Sequence, residues 1–390
     1  MPPTAKPAPA QPTTDLTLQW VALAMTPGVG AGRGKKLVEF YGGVSNIFTA
    51  SLTDLEAAGL PAAAAQSIAL GKSVEMAGSE IDRLREMGAS IVVPSDEAYP
   101  KRLLEIYDPP LILYVRGNVE AISQFGIAVV GTRHPTPYGV GMAERLSCDL
   151  AARGLIIISG MARGVDTAAH RGALNAHGKT IAVWGTGIDV TYPKENQKIA
   201  DQILSSGGAI LSEFPLGTFP APQNFPIRNR VISGLSIGVL VIEAGEYSGT
   251  RVTARCALEQ GRDVYAVPGN VTNKLSWGPN TLIKQGAALV ASWEDVWEAL
   301  PADVRLALTP PEAPASESAP VASLFDAPDL SPAEKRVLGI LRADESTHID
   351  EIVERLVQHL SSSEIFTALF ELELASRIRQ MPGKNYVRTL

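Results

Sequence analysis

Cysteine is nearly missing from this chain: its 390 residues include two, Cys148 and Cys256. They stand far apart without metal-type pairing, so both read as reduced, buried thiols of a cytoplasmic protein, and a disulfide framework is excluded. Charge is sparse as well. Only 19% of residues are charged and 45% are hydrophobic, the composition of a chain with a substantial core. Apolar runs never reach the roughly eighteen residues of a membrane-spanning helix, so no membrane partner is expected. The N-terminal stretch MPPTAKPAPAQPTTD has no apolar segment of the secretory kind. Formal net charge is −7, the wrong sign for a polyanion binder taken as a whole. Any polyanion site must therefore be a local basic pocket on an acidic body.

Several chemical signatures are missing too. There is no His/Cys/carboxylate cluster with metal spacing and no Gly-x-Ser-x-Gly elbow. Neither Gly-x-Gly-x-x-Gly nor Gly-x-x-x-x-Gly-Lys-Ser/Thr follows a strand, which leaves dinucleotide and triphosphate binding unsupported. No cofactor and no catalytic residue is assigned. Glu213 and Glu243 end strands near the candidate site, but neither has an obvious acid–base partner. The site is built to bind.

What is present divides the chain into segments. Residues 1–15 form a Pro/Ala/Thr-rich tail that predicts disorder. A helical module covers 16–88, and its run TPGVGAGRGKK at 26–36 resembles the Gly-rich hairpin of SAM or helix-hairpin-helix domains. A weaker copy lies at 55–61. Its glycines either admit a DNA phosphate to backbone N–H groups, with Arg33, Lys35 and Lys36 adding charge, or simply let two helices pack. From 89 to 300 short apolar runs alternate with helical stretches: 127–131, 155–160, 181–185, 209–212, 239–243, 264–267 and 287–290. Continuous β-branched runs mark strands buried on both faces, so this part is α/β, a doubly wound Rossmann-like domain with a mostly parallel sheet. Residues 301–330 read as a flexible linker. Ser331-Pro-Ala-Glu then opens a helix with a capping box, and 331–390 describe a winged helix. Acidic Asp350, Glu351 and Glu354 on its second helix disfavour groove binding and leave protein contact or packing.

Three strand-end loops carry the chemistry. Gly131-Thr132-Arg133 combines a tight turn, a hydroxyl and a guanidinium that can grip phosphate with paired hydrogen bonds. Residues 159–170, SGMARGVDTAAH, place Ser159, Gly160 and Arg163 ahead of a helix N-terminus. The third stretch, 214–253, sets Phe225, Arg228, Asn229 and Arg230 before a buried strand, which ends in the turn Ser248-Gly249-Thr250. Lys194 faces the same rim. Taken singly, Arg133 suits an ion pair, the glycines suit helix–strand packing, and His170 suits a hydrogen-bonded helix position. Asp166 reads as a loop cap, and Trp184 and Tyr192 as packing. Several cations converging on one end of one sheet point instead to a phosphate-bearing ligand.

These motifs resemble the DprA/Smf DNA-processing proteins of bacteria. The resemblance rests on 131–133, 159–170, TIAVWGTGIDVTYP at 180–193, FPIRNRVISGLS at 225–236, Glu243-Ala244, Ser248–Thr250, 267–269 and 282–287. It implies a single-stranded DNA-binding dimer that loads the RecA recombinase, notably in natural transformation. By matching motif, Arg133 and Lys194 become the principal phosphate contacts. Ser159, Gly160 and Arg163 become the pocket floor, and Phe225, Arg228, Asn229 and Arg230 its wall, with Phe225 free to stack on a base. The dimer patch maps to Leu282, Ile283, Leu289 and Val290, residues that suit a core equally well. The core also resembles phosphoribohydrolases that cleave nucleoside monophosphates. Those carry Pro-Gly-Gly-x-Gly-Thr-x-x-Glu, and here Thr253 stands where the catalytic glutamate belongs.

Overall fold

Seven of the apolar runs become the strands of one sheet. The computed structural model describes residues 15–308, 330–342, 345–375 and 377–389. Its strands are β1 (Ser90–Val92), β2 (Leu113–Gly117), β3 (Gly126–Val130), β4 (Ile156–Ser159), β5 (Thr180–Val183), β6 (Ala209–Ser212), β7 (Gly238–Val241), β8 (Asp263–Ala266) and β9 (Ala288–Leu289). They pair in the order β1-β2-β6-β5-β4-β3-β7-β8-β9, parallel from β6 to β9. The first two strands are antiparallel additions beyond β6, which the run-based reading did not include. The domain is therefore mixed but mostly parallel, a doubly wound sheet with helices on both faces.

Alternate residues of β3 go to opposite cores. Ile127 and Val129 pack with Met142, Leu146 and Leu150 of the helix Pro137–Ala152, while Ala128 and Val130 pack with Ala254 and Ala257 of the helix Thr250–Glu259. Period-two alternation along a strand buried on both sides dictates this division. The Pro137 helix begins as its sequence dictates: Thr136 caps it by accepting from Gly139 N at 3.2 Å, and Pro137 fills the first turn. It packs closely on the next helix, Val165–Asn175, because Gly172 carries no side chain. A Cβ there would lie 2.2 Å from the carbonyl oxygen of Glu144.

The N-terminal helices share a core with the far side of the sheet. Leu23, Leu37, Ile47 and Leu55 belong to one cluster with Tyr114, Trp184 and Ile210. The Gly-rich hairpin is the turn before the helix Ala31–Tyr41. Gly34 sits against Leu111, Arg33 donates to the Gly28 carbonyl, and Lys35 Nζ lies 3.4 Å from the carbonyls of Ile106 and Tyr107. In this structure the hairpin packs.

The expected linker starts later than its composition implies. Residues Ala302–Leu308 form a helix whose Val304 is buried in the sheet's core. The remainder of that stretch, 309–329, and the tail 1–14 lie outside the described residues. Beyond it, Ser331 and Glu334 form the expected capping box, with Glu334 N to Ser331 Oγ at 3.2 Å and Ser331 N to Glu334 Oε2 at 2.6 Å. Helices Pro332–Ile340, Ile349–Leu356 and Ser362–Leu374 and a three-stranded sheet, β10 (Thr347–His348), β11 (Ile378–Met381) and β12 (Asn385–Arg388), complete a winged helix.

Gly172→Ala should destabilise the protein by about 1–3 kcal/mol, because the helix pair must separate to admit one methyl group. Urea denaturation of the two proteins measures it; equal midpoints would show that the helices yield freely.

Candidate functional site

The route of the backbone makes a crevice. Strands β3 and β7 are neighbours, yet the helices that follow them leave on opposite faces of the sheet. Between their carboxyl ends opens a cleft of about 870 Å³, lined by Gly131, Thr132, Arg133, Tyr192, Phe225, Arg228, Asn229 and the turn 245–250. This is where an open α/β sheet binds ligands, at the point where strand order reverses.

Arg228 forms the floor. It is buried, and its Nη1 donates to the Gly160 carbonyl at 2.7 Å and to the Val183 carbonyl, tying the ends of β4 and β5 together. A side chain on residue 160 would collide with this guanidinium, since a Cβ would lie 2.7 Å from it. Asp166 supplies the compensating charge. Its Oδ2 accepts from Gly160 N at 3.1 Å and Ala162 N at 3.2 Å. Burial raises the Asp166 carboxyl's pKa, opposed first by Arg228 and then by those two N–H groups. Burial likewise pulls the Arg228 guanidinium down to about 10, with Asp166 holding it up and Arg133 pushing it lower.

Above this floor the walls are aromatic and cationic. The Phe225 ring stands over Gly185, where a Cβ would come within 2.9 Å of it. Arg133 is exposed, with its guanidinium carbon 5.5 Å from the centre of that ring, and the Tyr192 ring lies 5.7 Å away at 35°. The Arg133 loop is fixed from beneath. Thr132 N donates to the Glu243 carbonyl at 2.7 Å, while the Glu243 carboxylate accepts from Thr136 N at 2.8 Å and Thr136 Oγ1 at 2.6 Å. Glu243 thus has a structural task and is 2% exposed. On the facing bank, Ser248 Oγ accepts from Thr250 N at 3.2 Å at the start of the Thr250 helix.

Three sequence assignments change, while a fourth residue, Arg163, stays beside Gly160 and Arg228. Arg230 is not in the cleft wall: two residues after Arg228 on one helix, it points elsewhere. It is buried against Glu213 at 2.5 Å and Asp108 at 3.1 Å and lines a separate cavity of about 740 Å³ beside the N-terminal helices. Ser159 is fully buried and donates to the Val129 carbonyl at 2.7 Å, so it supports the floor without reaching the cleft. Arg163 is exposed but paired with Glu195, its Nη2 2.9 Å from Oε2. Val290 is fully buried in the core, whereas Leu289 on the edge strand is half exposed and Leu282 and Ile283 are half buried. Lys194 is exposed at the start of the short turn Lys194–Asn196, two residues beyond Tyr192 of the rim, and does not itself line the cleft. One residue escaped the sequence reading: Tyr247, which is 92% exposed on the cleft's lip. A lone tyrosine beside Ser-Gly-Thr gives no periodic signal.

Comparison with known proteins follows the same lines. The family model "DNA recombination-mediator protein A" matches residues 90–301, and that of the DprA winged helix domain matches 310–384. Protein Smf of Escherichia coli is 44% identical over 301 residues, 76% of this chain and 77% of its own. Protein Smf of Synechocystis is 32% identical over 393 residues, covering 95% of this chain and 98% of its own. The X-ray structure of DNA processing protein A from Streptococcus pneumoniae aligns with a TM-score of 0.65 at 34% identity, over 75% of this chain and 99% of that one.

His170, in the helix behind the floor, generates a pH prediction. The Thr180 hydroxyl donates to the Ile157 carbonyl at 2.6 Å, so His170 Nδ1, 2.7 Å away, must be the donor to Thr180. Its Nε2 is buried without a hydrogen-bond partner. Burial, helped by Arg228, pushes the imidazole pKa down to about 3. Between the unfolded value of 6.5 and about 3, the unfolded chain carries a proton that the folded one refuses. Stability should therefore fall as pH drops below 6.5, by about 1.4 kcal/mol per unit from this residue. In His170→Gln, urea midpoints between pH 6.5 and 4.5 should follow a slope flatter by about one proton.

Proposed function

As this chain belongs to the DNA recombination-mediator protein A family, we propose that its cleft holds single-stranded DNA and that the protein delivers this DNA to a RecA-type recombinase. The observation that carries the reading is the guanidinium of Arg133 beside the Phe225 and Tyr192 rings at the strand ends. Sequence-tolerant binding of a single strand requires cations for the phosphates and aromatic faces for the unpaired bases. Arg133 and Lys194 are the phosphate contacts, Phe225 the stacking surface, and Ser248, Gly249 and Thr250 the polar groups of the opposite bank. Arg228, Gly160 and Asn229 shape the floor, and Arg163 adds charge when it parts from Glu195.

Dimerisation belongs to the same proposal. Strand β9 ends the sheet with an open edge, and the apolar patch there comprises Leu282, Ile283 and Leu289. Unpaired edge groups beside apolar side chains suit a second copy of the chain. Nucleotide hydrolysis has no comparable support, since buried Thr253 occupies the position of the required carboxylate.

Fluorescence anisotropy with labelled oligothymidine tests the cleft. Wild type should prefer single over double strands, with a log–log salt slope of about −0.7 per phosphate neutralised. Arg133→Ala/Lys194→Ala should bind every sequence more weakly by a similar factor. Absence of wild-type binding would overturn the reading, and a sequence-selective loss would mean base readout instead. Sedimentation velocity of Leu289→Glu should show monomers with less cooperative DNA binding; an unchanged oligomer would remove the edge from the interface.

A further inference from the structure

The winged helix presents an apolar stripe that the DNA-binding reading does not use. On the helix Ser362–Leu374, the residues Ile365, Ala368, Leu369 and Leu372 face the domain's core. Phe366, Phe370 and Leu374, spaced by four, fall on the opposite face and are 53%, 63% and 70% exposed. A single exposed apolar residue needs no explanation, but two phenylalanines and a leucine in register form a continuous surface. The charged residues bordering it are of one sign. Glu371 and Glu373 flank the stripe, Glu364 is held by Ser361 in the helix's capping box, and the helix has neither lysine nor arginine.

That charge decides the occupant. The third helix of a helix-turn-helix fold reads DNA only if it can approach phosphates, and here acidic residues line both margins. The preceding helix adds Asp350 in its first turn, while its Glu351 is paired with Arg355 at 2.5 Å. An anionic lipid surface is repelled for the same reason. Three anchors at helical spacing framed by carboxylates complement a helix with apolar residues at i, i+3 or i+4 and i+7, bordered by lysine or arginine.

We propose that the exposed face of the helix Ser362–Leu374 is a docking surface for a basic amphipathic helix of a protein partner. Apolar burial along Phe366, Phe370 and Leu374 supplies affinity, and the glutamates select the sign of the partner's flanks. The surface is independent of the cleft, so loss of either function leaves the other testable.

The experiment uses the full-length protein and two labelled helical peptides of about five turns with the same leucine stripe, one flanked by lysines and one by glutamates. The lysine peptide should bind and the glutamate peptide should not. Phe370→Ser should weaken the lysine peptide about tenfold with an unchanged unfolding midpoint, because a cationic peptide held only by the protein's overall negative charge would not sense that ring. Glu371→Lys/Glu373→Lys should reverse the preference between the peptides. Unchanged binding in Phe370→Ser would overturn the proposal. So would loss of self-association in that variant, which would make a second copy the occupant, or loss of wild-type duplex binding, which would make the helix a DNA reader.

Discussion

A buried guanidinium holds the strand ends together. Arg228 satisfies two backbone carbonyls that terminate adjacent parallel strands, and without it those carbonyls would be buried acceptors lacking donors. Its own charge is tolerable because Asp166 faces it and shares its attention with two backbone N–H groups. Removing one partner of such an arrangement leaves an uncompensated charge in the interior, the costly half of any buried pair. The geometry above follows from this. Residue 160 must be glycine, the 160–164 loop is pinned to the helix behind it, and the Phe225 ring has a level surface to stand on.

The acidic body and the cationic site are compatible because the charges are sorted by depth. Arg228 and Arg230, which looked like one basic cluster along the chain, are both spent within the fold: Arg230 on Glu213 and Asp108, and Arg228 on two backbone carbonyls with Asp166 as its opposing charge. Arg163 is paired at the surface. Arg133 stays exposed in the cleft, steadied by an aromatic face, and Lys194 is exposed on the turn beyond Tyr192. A small number of free cations in a crevice is more selective than a broad basic surface, since it asks for stacking as well as charge.

Strands β3 to β8 were legible as short apolar runs because burial on both faces removes polar interruptions, whereas β9 was read from the run 287–290 although both its residues are exposed. Strands β1 and β2 were not, since they pair antiparallel at the sheet's end, outside the alternation of apolar runs and long helices that marked the others. The capping box at Ser331 was readable because its chemistry is local. Arg228 and Arg230 could not be told apart, because a separation of two on a helix turns side chains by about 200° and only the packed neighbours say which face is which. Val290 and Leu289 show the same limit on a strand: adjacent residues alternate between core and solvent, and composition alone assigns both to one patch. Tyr247 was missed because its significance lies wholly in where the loop comes to rest.

The opposite departures of the helices after β3 and β7 have a kinetic meaning. The crevice is created by how the backbone is routed. A site present before its ligand arrives spends no binding energy on rearrangement, and its association rate is set by encounter rather than by a conformational step. For the single strand proposed as its ligand, affinity would then be adjusted through residence time, set by how firmly the Phe225 face and the neighbouring Arg133 guanidinium retain it.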